Sequence, residues 1–506
     1  MCDMPHDQTT KGNLIPDLPD ALVLDLHKMN PWWMGKPGLQ FPKTRRHLVE
    51  KIHRRLTSHL APIILVRGPR QIGKTTAQLQ VLEDFLARGH DPLRILRVQF
   101  DELPEFERMR EPILRISDWF EHFILRQTLN EAAQAGKPAL LFFDEVQNLR
   151  GWAEQLKHLV DHSTVQVVVT GSSALRMEQG RDSLAGRITT LEEGVLSLTE
   201  IATLRGIALG EPFLADNGLG VLADIGFWRS LATRGLQIKK ERDQVFAWFS
   251  ERGGYPLCHL NATTSWPQLA DQLNETVIKR VILHDLRVGD KGRKRDEFLL
   301  EELFRECCRY VGQAPDIGTL VNHIRETLKG NLGHQRVRAY LKFLSDTLLI
   351  RLIQPLEIRL KKKRGNLKIC LADHGLRASW LQEIVPLDPH QLATAPEHLS
   401  LLAGRIAESI VGATFSTIHG LDLSYFAERP TEPEVDFILT IGTRRIPVEV
   451  KYQLKSETRH AAGIRAFMAK PGNNASFGIL ITQVDKADVR DTNIVCLPLS
   501  TFMLLR

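Results

Sequence analysis

The turn between residues 68 and 76 carries the residues best suited to chemistry in this sequence. It reads Gly-Pro-Arg-Gln-Ile-Gly-Lys-Thr-Thr and follows the apolar run Ile63 to Val66, which predicts a buried strand. Two glycines at this spacing allow a tight turn whose backbone N–H groups surround an anion at the start of a helix. We expect Lys74 to reach the β- and γ-phosphates of a nucleotide and the Thr75 hydroxyl to bind Mg²⁺. The predicted nucleotide site consists of Gly68, Pro69, Arg70, Gln71, Ile72, Gly73, Lys74, Thr75 and Thr76.

Two adjacent carboxylates end a second apolar run. Residues 139–143 read Ala-Leu-Leu-Phe-Phe and precede Asp144 and Glu145. Such a run is typical of a central parallel strand that is buried on both faces, and ligands bind at the carboxyl ends of such strands. We expect Asp144 to hold the water shell of Mg²⁺, and Glu145 to orient and polarise the attacking water. Together with the turn, this pair predicts hydrolysis of a nucleoside triphosphate, whereas a strand end alone often carries acids that only face solvent.

Two further strands complete the expected sheet. Residues 165–170 read Val-Gln-Val-Val-Val-Thr and precede Gly171, Ser172 and Ser173, which either sense the γ-phosphate or simply begin a turn. A fourth apolar stretch runs from Arg94 to Phe100. Because these strands alternate with helical stretches, the sequence predicts an α/β fold with a parallel sheet.

A second set of charged residues lies towards the carboxyl end. Glu449 and Lys451 alternate with valines, so both charged side chains should leave the same face of a strand. Asp436 falls on the expected hairpin partner, and Glu408 on an amphipathic helix before it. This D…E-x-K pattern resembles that of restriction-endonuclease-like nucleases, in which carboxylates bind Mg²⁺ and the lysine polarises water. The predicted metal ligands are Glu408, Asp436 and Glu449, and the alternative is a half-buried hairpin with exposed charges.

The composition fits a folded protein with several domains. The chain has 506 residues, of which 43% are hydrophobic and 25% charged. Its six cysteines form no C-x-x-C pair, which favours a reducing, cytoplasmic location without disulfides or structural zinc. No apolar stretch reaches about 18 residues and no signal-peptide pattern begins the chain, so we expect no membrane segment. A net charge of +6 is compatible with a polyanionic partner and equally with a basic enzyme that has none.

Changes in composition and periodicity divide the chain into five segments. They predict an arm at 1–45, a nucleotide-binding domain at 46–200, a helical lid at 201–295, a winged helix at 296–385 and an α/β domain at 395–506. The arm contains Asn30-Pro31-Trp32-Trp33, which we interpret as an anchor on the nucleotide-binding domain. The alternative is an aromatic platform on which bases stack.

The 296–385 segment combines a periodic helix with a basic tip. Val337, Leu341 and Leu344 form an apolar stripe, and basic residues occupy the opposite face of the same helix. A second basic group lies between two predicted strands. A basic wing beside a basic third helix predicts contact with DNA phosphates, while a solvated turn or a protein partner is the alternative. The predicted DNA contacts are Arg336, Arg338, Lys342, Lys361, Lys362, Lys363 and Arg364.

Together these features resemble the AAA-type ATPases of bacteria and archaea that carry a restriction-endonuclease-like carboxyl-terminal domain. The resemblance runs through nearly the whole chain and includes short motifs outside the two sites. These motifs are Asn30-Pro31-Trp32-Trp33, Leu184-Ala185-Gly186-Arg187, Leu196-Ser197-Leu198-Thr199-Glu200, Gly253-Gly254-Tyr255-Pro256 and Leu371-Ala372-Asp373-His374-Gly375-Leu376. The resemblance implies a triphosphatase core that uses ATP and Mg²⁺, a winged helix and a nuclease-like tail.

The same resemblance implies an arginine that completes the site of a neighbouring subunit. Arg187 is the first candidate for this arginine, and Arg176 and Arg181 are its rivals. An arginine that acts in trans requires a homo-oligomer, either a ring or a filament.

Three functions are compatible with these predictions. The first is ATP hydrolysis coupled to DNA binding or remodelling, as in an oligomeric DNA-dependent ATPase or translocase. The second is an ATP-regulated nuclease in which Asp436, Glu449 and Lys451 cut phosphodiesters in the presence of Mg²⁺. The third is a nucleotide-gated switch that signals or scaffolds partners and has an inert tail.

Overall fold

Two β-sheets organise the chain, one in each half of the sequence. The computed structural model describes residues 18–101, 106, 109–171, 182–214, 218–285, 296–328, 332–357, 365–428 and 432–506. The strands of the first sheet are β1 (Ile63–Arg67), β2 (Ile95–Gln99), β3 (Leu140–Asp144), β4 (Gln166–Gly171) and β5 (Ile188–Glu192). All of them are parallel, in the order β2-β3-β4-β1-β5. The predicted α/β fold with a parallel sheet is confirmed.

Apolar side chains cover both faces of the first sheet. Along β1, Ile63 and Leu65 belong to one buried cluster, while Ile64 and Val66 belong to the cluster on the opposite face. This alternation follows from the period of two of a strand, and helices must cover both faces. Because the strands are parallel, the turn after β1 and the acids after β3 lie at the same edge, separated only by β4.

Helices from the amino-terminal part of the chain cover this sheet. They are α1 (Asp20–Met29), α2 (His47–Ser58), α3 (Lys74–Ala87), α4 (Pro112–Phe120), α5 (Leu129–Gln134) and α6 (Trp152–His162). The free edge of β2 is closed by Asn30, whose amide donates to the Arg97 carbonyl (2.8 Å) and accepts from the Arg97 N–H (2.7 Å). The Trp32 indole donates to the Ile95 carbonyl (3.1 Å) and is buried. The arm motif therefore provides hydrogen-bond partners for the backbone of the edge strand β2. Because Trp32 is buried, it is not accessible to a stacking base.

A helical region connects the two sheets. It contains α7 (Leu198–Leu204), α8 (Ile225–Gln237), α9 (Lys239–Arg252), α10 (Pro256–Leu260) and α11 (Trp266–Leu273), followed by π-helical turns at Asn274–Lys279 and Val281–Asp285. The Asp373 carboxylate accepts from the N–H groups of Gly254 (2.7 Å) and Gly375 (2.8 Å). A Cβ at Gly253 would lie 2.2 Å from this carboxylate, so the motifs at 253–256 and 371–376 pack against each other through glycine.

Three helices and two antiparallel strands come next. They are α12 (Glu297–Arg309), α13 (Ile317–Leu328), α14 (His334–Asp346), β6 (Ile350–Pro355) and β7 (Lys368–Leu371). This is the element order expected of a winged helix, and the tip at 361–364 lies outside the described residues. However, β6 also pairs in parallel with β8 (Asp422–Phe426). The two strands expected to flank a wing therefore belong to the second sheet. This sheet contains strands from both the predicted winged helix (296–385) and the predicted α/β domain (395–506).

The second sheet continues through the carboxyl-terminal part of the chain. Its other strands are β9 (Val435–Ile441), β10 (Arg444–Lys451), β12 (Gly478–Thr482) and β14 (Ile494–Pro498), and its order is β14-β12-β10-β9-β8-β6-β7. Strands β11 (Ser456–Glu457) and β13 (Ala487–Asp488) pair separately. The accompanying helices are α15 (His374–Leu381), α16 (Pro389–Ala393), α17 (Glu397–Ser416), α18 (Ala462–Met468) and α19 (Leu499–Phe502).

One continuous apolar core joins the connecting helices to the second sheet. It extends from Leu198 in α7 through Phe304 in α12 to Phe437 in β9. The last residues of the chain pack against the connecting region, where Leu504 and Leu505 accept backbone hydrogen bonds from residues 213 and 214. Within the described residues, no helix has the length and apolar character needed to cross a bilayer.

Candidate functional site

The predicted phosphate turn connects β1 to α3. Gly73 precedes the helix with a φ of 90°, and Gln71 has a φ of 60°, so the turn uses the left-handed region twice. A Cβ at Gly68 would lie 2.5 Å from both the Glu193 carbonyl oxygen and the Ile72 side chain. The glycine at position 68 is therefore required sterically, which explains why this residue type begins the motif.

Lys74 is the first residue of α3 and its ammonium folds back over the turn. Nζ donates to the carbonyl oxygens of Gly68 (2.9 Å) and Pro69 (2.8 Å). The side chain is buried, although a buried ammonium requires compensation. These contacts hold the positive charge at the helix N-terminus, where an anion binds most favourably.

Asp144 ends β3 and is completely buried at the same sheet edge. The Thr170 hydroxyl at the end of β4 donates to Oδ1, and the Thr75 hydroxyl also hydrogen-bonds the carboxylate. Burial, reinforced by the nearby Glu145, raises the pKa of Asp144. Oδ2 accepts no hydrogen bond from the described residues and lies 3.6 Å from Nη2 of Arg97. A buried carboxylate oxygen beside a hydroxyl suits a hard cation, so Thr75 and Asp144 fit the predicted role of holding Mg²⁺.

Glu145 leaves the strand in a strained conformation. Its φ of 55° is left-handed, which is unusual for a residue with a side chain and is concentrated at functional sites. Its backbone N–H donates to the Thr170 hydroxyl (3.4 Å). The amide of Gln147 donates to its carboxylate. Thr170 thus contacts both members of the acidic pair, and Gln147 positions the residue expected to orient water.

Arg46 connects the phosphate turn to the residues after β5, which the sequence did not predict. Its guanidinium makes two bonds with the Glu200 carboxylate (3.0 and 2.9 Å) and donates to the Ile72 carbonyl (2.7 Å). Despite burial, Arg46 lowers the pKa of Glu200 to about 2. Glu200 also closes a capping box with Ser197, which matches the S-x-x-E spacing within the Leu196 to Glu200 motif.

A small apolar pocket of about 60 Å³ lies beside the turn. It is formed by the segment before α2, the start of α3 and helices α7 and α10. Its lining includes Thr44, Ile72, Thr76, Ala77, Leu204 and Pro256. The pocket is open enough to accept part of a flat, apolar group next to the phosphates.

Arg187 lies at the opposite end of the sheet from the turn. It directly precedes β5, whose first residue pairs with Ile63, whereas the turn begins after Arg67. Nε of Arg187 donates to Asp161 Oδ1 (2.5 Å), and Nη2 donates to Oδ2 (3.0 Å). Its rivals Arg176 and Arg181, together with Ser172 and Ser173, lie outside the described residues.

The charged residues predicted near the carboxyl end converge. Asp436 in β9 faces Glu449 in β10, and Val450 donates its N–H to Asp436 Oδ2 (2.8 Å). Lys451 Nζ lies 2.6 Å from Glu449 Oε1, and Glu408 of α17 hydrogen-bonds the Asp436 carboxylate. The ammonium of Lys368 enters the same cluster. Across the described residues, no group of three or more acids, histidines or cysteines is arranged to hold a metal ion. The magnesium site expected at Glu408, Asp436 and Glu449 stays a prediction.

The basic face of α14 is exposed to solvent. Arg336, Arg338 and Lys342 are all exposed, whereas Val337 and Leu341 on the other face are buried. Arg336 lies 3.4 Å from Asp296, and Lys342 lies 3.0 Å from Asp346. Exposed pairs of this kind contribute little to stability, so these cations can exchange their partners for phosphates.

Three family models match the chain. Residues 61–202 match an AAA domain, while 246–386 and 403–502 match two domains of unknown function (DUF8612 and DUF4143). An uncharacterized protein of Methanocaldococcus jannaschii is 27% identical over 136 residues, which is 27% of this chain and 26% of that protein. The match therefore spans about a quarter of that relative.

Solved structures were compared with the whole chain. AMPPCP-bound DnaA from Aquifex aeolicus is 12% identical and has a TM-score of 0.22, over 61% of this chain and 90% of that one. A signal transduction ATPase with a tetratricopeptide repeat sensor from Pyrococcus horikoshii is 10% identical and has a TM-score of 0.27. The comparison covers 75% of this chain and 49% of that one. Likenesses at these scores do not define function. The family match and the turn geometry, by contrast, support a P-loop fold of the AAA type for residues 61–202.

The Arg46–Glu200 pair generates a prediction with a defined pH dependence. Glu200→Gln leaves a buried guanidinium without its counter-ion, so unfolding free energy at pH 7 should fall by about 3–5 kcal/mol. Because the folded pKa of Glu200 lies below its ordinary 4.5, its contribution is present above pH 4.5 and is lost as pH falls towards about 2. The free energy of unfolding, measured with denaturant, should therefore differ less between wild type and Glu200→Gln as the pH falls over that range.

The matched control is Glu50→Gln on α2, where the carboxylate is exposed. It should change stability by less than about 1 kcal/mol. Equal stability of Glu200→Gln and wild type at pH 7 would contradict the structural role of the pair.

Proposed function

We propose that this protein hydrolyses ATP at the turn 68–76 and uses the resulting conformational change to act on DNA as an oligomer. The observation that carries this proposal is the network of Thr75, Asp144 and Thr170 at one sheet edge, next to the turn over which the Lys74 ammonium folds. Lys74 would place its charge against the β- and γ-phosphates. Thr75 and Asp144 would hold Mg²⁺, which neutralises phosphate charge.

The strained acid Glu145 supports hydrolysis in addition to binding. Its side chain is held by Gln147 and its backbone by Thr170, which fixes the position of the carboxylate. A positioned carboxylate can orient water and accept its proton. Thr170 contacts both Asp144 and Glu145, so a change at the γ-phosphate would reach β4 directly.

The pocket beside the turn supports a nucleotide as the substrate. It presents Ile72, Leu204 and Pro256 next to the start of α3. A base packed there would contact α7 and α10 as well as the turn, so nucleotide binding would draw the connecting helices towards the first sheet. This arrangement favours a nucleoside triphosphate over a small inorganic phosphate.

Arg187 supports assembly into a ring or filament. Its position before β5 is separated from the turn after β1 by the length of a strand of five residues, about 16 Å. It therefore cannot reach its own phosphates and would act on those of a neighbour, after exchanging its pair with Asp161. Particle imaging with a slowly hydrolysed nucleotide tests this, because a strictly monomeric protein would exclude a role in trans.

A partly buried ion triad connects the nucleotide site to the second sheet. Glu192 in β5 contacts Arg67 (2.6 Å), the residue directly before the phosphate turn, and also Arg351 of β6 (2.6 Å). The two guanidinium groups lower the pKa of Glu192 despite its burial. Glu192 thus joins the two sheets by a fixed contact, and we assign it the transmission of conformational change between them.

The acidic pair predicts a separation of binding from turnover. Glu145→Gln should retain affinity for ATP but lower kcat by about 10²–10⁴-fold, because the amide cannot accept the proton of water. Lys74→Ala should instead abolish binding, because it removes the charge that faces the phosphates. Both are measured by binding of a fluorescent ATP analogue and by steady-state phosphate release.

The control for these variants is Glu154→Gln in α6, an exposed glutamate of the same domain. It should have wild-type binding and turnover. Near-normal turnover of Glu145→Gln would exclude that residue as the group that orients water.

The ion triad predicts a loss of coupling. Arg351→Met keeps the Arg67–Glu192 pair but removes its connection to β6, so ATP turnover without DNA should change less than about twofold while DNA stimulation is lost. Arg444→Met, an exposed arginine at the start of β10, is the matched control. DNA stimulation that survives intact in Arg351→Met would contradict the assigned role of the triad.

The basic face of α14 predicts a phosphate contact. Replacing Arg336, Arg338 and Lys342 with alanine should weaken DNA binding at low salt and reduce the slope of log K against log salt by about 2 to 3. Alanine at the exposed lysines 28, 137 and 157 is a control with the same change in charge. An unchanged slope would remove α14 from the DNA interface, and ATP turnover indifferent to every DNA would favour the nucleotide-gated switch.

A further inference from the structure

Lys368 is the most completely enclosed charged group of the carboxyl-terminal cluster. It lies on β7, next to β6, and its side chain is 1% exposed. The strand Leu367 to Leu371 is otherwise apolar, so the sequence pattern alone suggested only a strand beside the basic tip. A lysine on a buried strand needs strong compensation to remain charged.

The surroundings of the Lys368 ammonium supply this compensation from three elements. Nζ contacts Glu408 of α17, lies 3.2 Å from Glu434 and 3.5 Å from Asp436, and donates to the Asp436 carbonyl oxygen (3.3 Å). It also lies over the rings of Tyr425 (5.1 Å) and Phe437 (5.3 Å). Carboxylates, a carbonyl and aromatic faces therefore surround one fixed positive charge.

Two ammonium groups lie among the carboxyls of the cluster. Four carboxyls, those of Glu408, Glu434, Asp436 and Glu449, meet the ammonium groups of Lys368 and Lys451. Burial raises the pKa of Glu408, which hydrogen-bonds Asp436, and burial together with Asp436 raises the pKa of Glu449 to about 8. Each of the three predicted metal ligands, Glu408, Asp436 and Glu449, therefore already lies in contact with an ammonium group.

We propose that the Lys368 ammonium takes the place of the divalent cation in this nuclease-like site, so that the carboxyl-terminal domain serves as a metal-independent, non-cleaving module. The carboxylates that would bind Mg²⁺ are already occupied by Lys368, which approaches within contact distance of Glu408 and Asp436. A divalent cation at the same point would meet a fixed ammonium, and like charges at such a distance repel strongly in a buried site. The domain then contributes a rigid body to the ATPase, and any action on DNA by the protein leaves the phosphodiester intact.

Cation binding to the nucleotide-free, full-length protein tests this directly. Mn²⁺ is titrated and detected by electron paramagnetic resonance in a Lys74→Ala background, which keeps the nucleotide site out of the measurement. The protein with Lys368 intact should show no Mn²⁺ binding that depends on Glu449, and adding Glu449→Gln should change nothing. Lys368→Ala should gain about one bound Mn²⁺ per chain, because three carboxylates lose their counter-ion and become ligands.

Two control variants test whether the Mn²⁺ gained by Lys368→Ala binds at the carboxyl-terminal cluster. The added Mn²⁺ should be lost again in Lys368→Ala/Glu449→Gln, and Lys368→Arg, which retains the charge, should gain none. Mn²⁺ should also raise the thermal unfolding temperature of Lys368→Ala selectively, since a ligand that binds only the folded state stabilises it.

Three outcomes would overturn the proposal. The first is Glu449-dependent Mn²⁺ binding with Lys368 in place, and the second is Mg²⁺-dependent DNA cleavage that Glu449→Gln abolishes. Neither measurement needs a variant at position 368, so both remain decisive if Lys368→Ala does not fold. The third is a folded Lys368→Ala protein that gains no cation, which would show that the lysine is not what excludes the metal.

Discussion

A charged group taken out of water must be compensated, and this constraint determines the geometry of both sites in the chain. Asp144 is completely buried and is stabilised by Thr75, Thr170 and the nearby Arg97. Each partner comes from a different element, so the carboxylate can be accommodated only when the turn, β4 and β2 are all in place. The ion pairs of the buried Glu200 and the partly buried Glu192 follow the same rule and connect the turn to the rest of the molecule.

The Asp144 site and the carboxyl-terminal cluster differ in the source of the positive charge that compensates their carboxylates. At the first, one oxygen of Asp144 accepts no hydrogen bond from the described residues, so an additional cation has a place beside Thr75. At the second, Lys368 already provides that cation within the fold. A site that is completed only when a ligand arrives can change state with that ligand, whereas a site completed by the chain itself is permanent. This contrast assigns the reactive role to the amino-terminal sheet and a structural role to the carboxyl-terminal cluster.

The sequence predicted the local chemistry much better than the long-range contacts. The turn at 68–76 and the acids after β3 could be predicted because their glycines, lysine and carboxylates are adjacent along the chain. The convergence of Asp436 and Glu449 could also be predicted, since strand alternation fixes the faces of a hairpin. The contribution of Lys368 could not be predicted, because the sequence pattern places its strand in a wing, whereas the strand joins the second sheet through β6.

The same limit applies around the nucleotide site. The contact of Arg46 with Glu200 joins residues separated by 154 positions, and no local pattern indicates which arginine will meet which acid. The sequence shows the motif at Asn30 but not its role. Asn30 hydrogen-bonds the edge strand β2, and which strand lies at the edge depends on the sheet order, which periodicity does not determine.

The central claim is that the turn after β1 wraps a magnesium-bound triphosphate and that Asp144 and Glu145 face it. Its most direct test is a structure of the full-length protein determined with Mg²⁺ and a slowly hydrolysed ATP analogue. We expect the phosphates to lie within the turn, the Lys74 ammonium to leave the carbonyls of Gly68 and Pro69 for them, and Mg²⁺ to lie beside Thr75 and Asp144. A nucleotide bound elsewhere, or a protein that retains none under these conditions, would contradict the account.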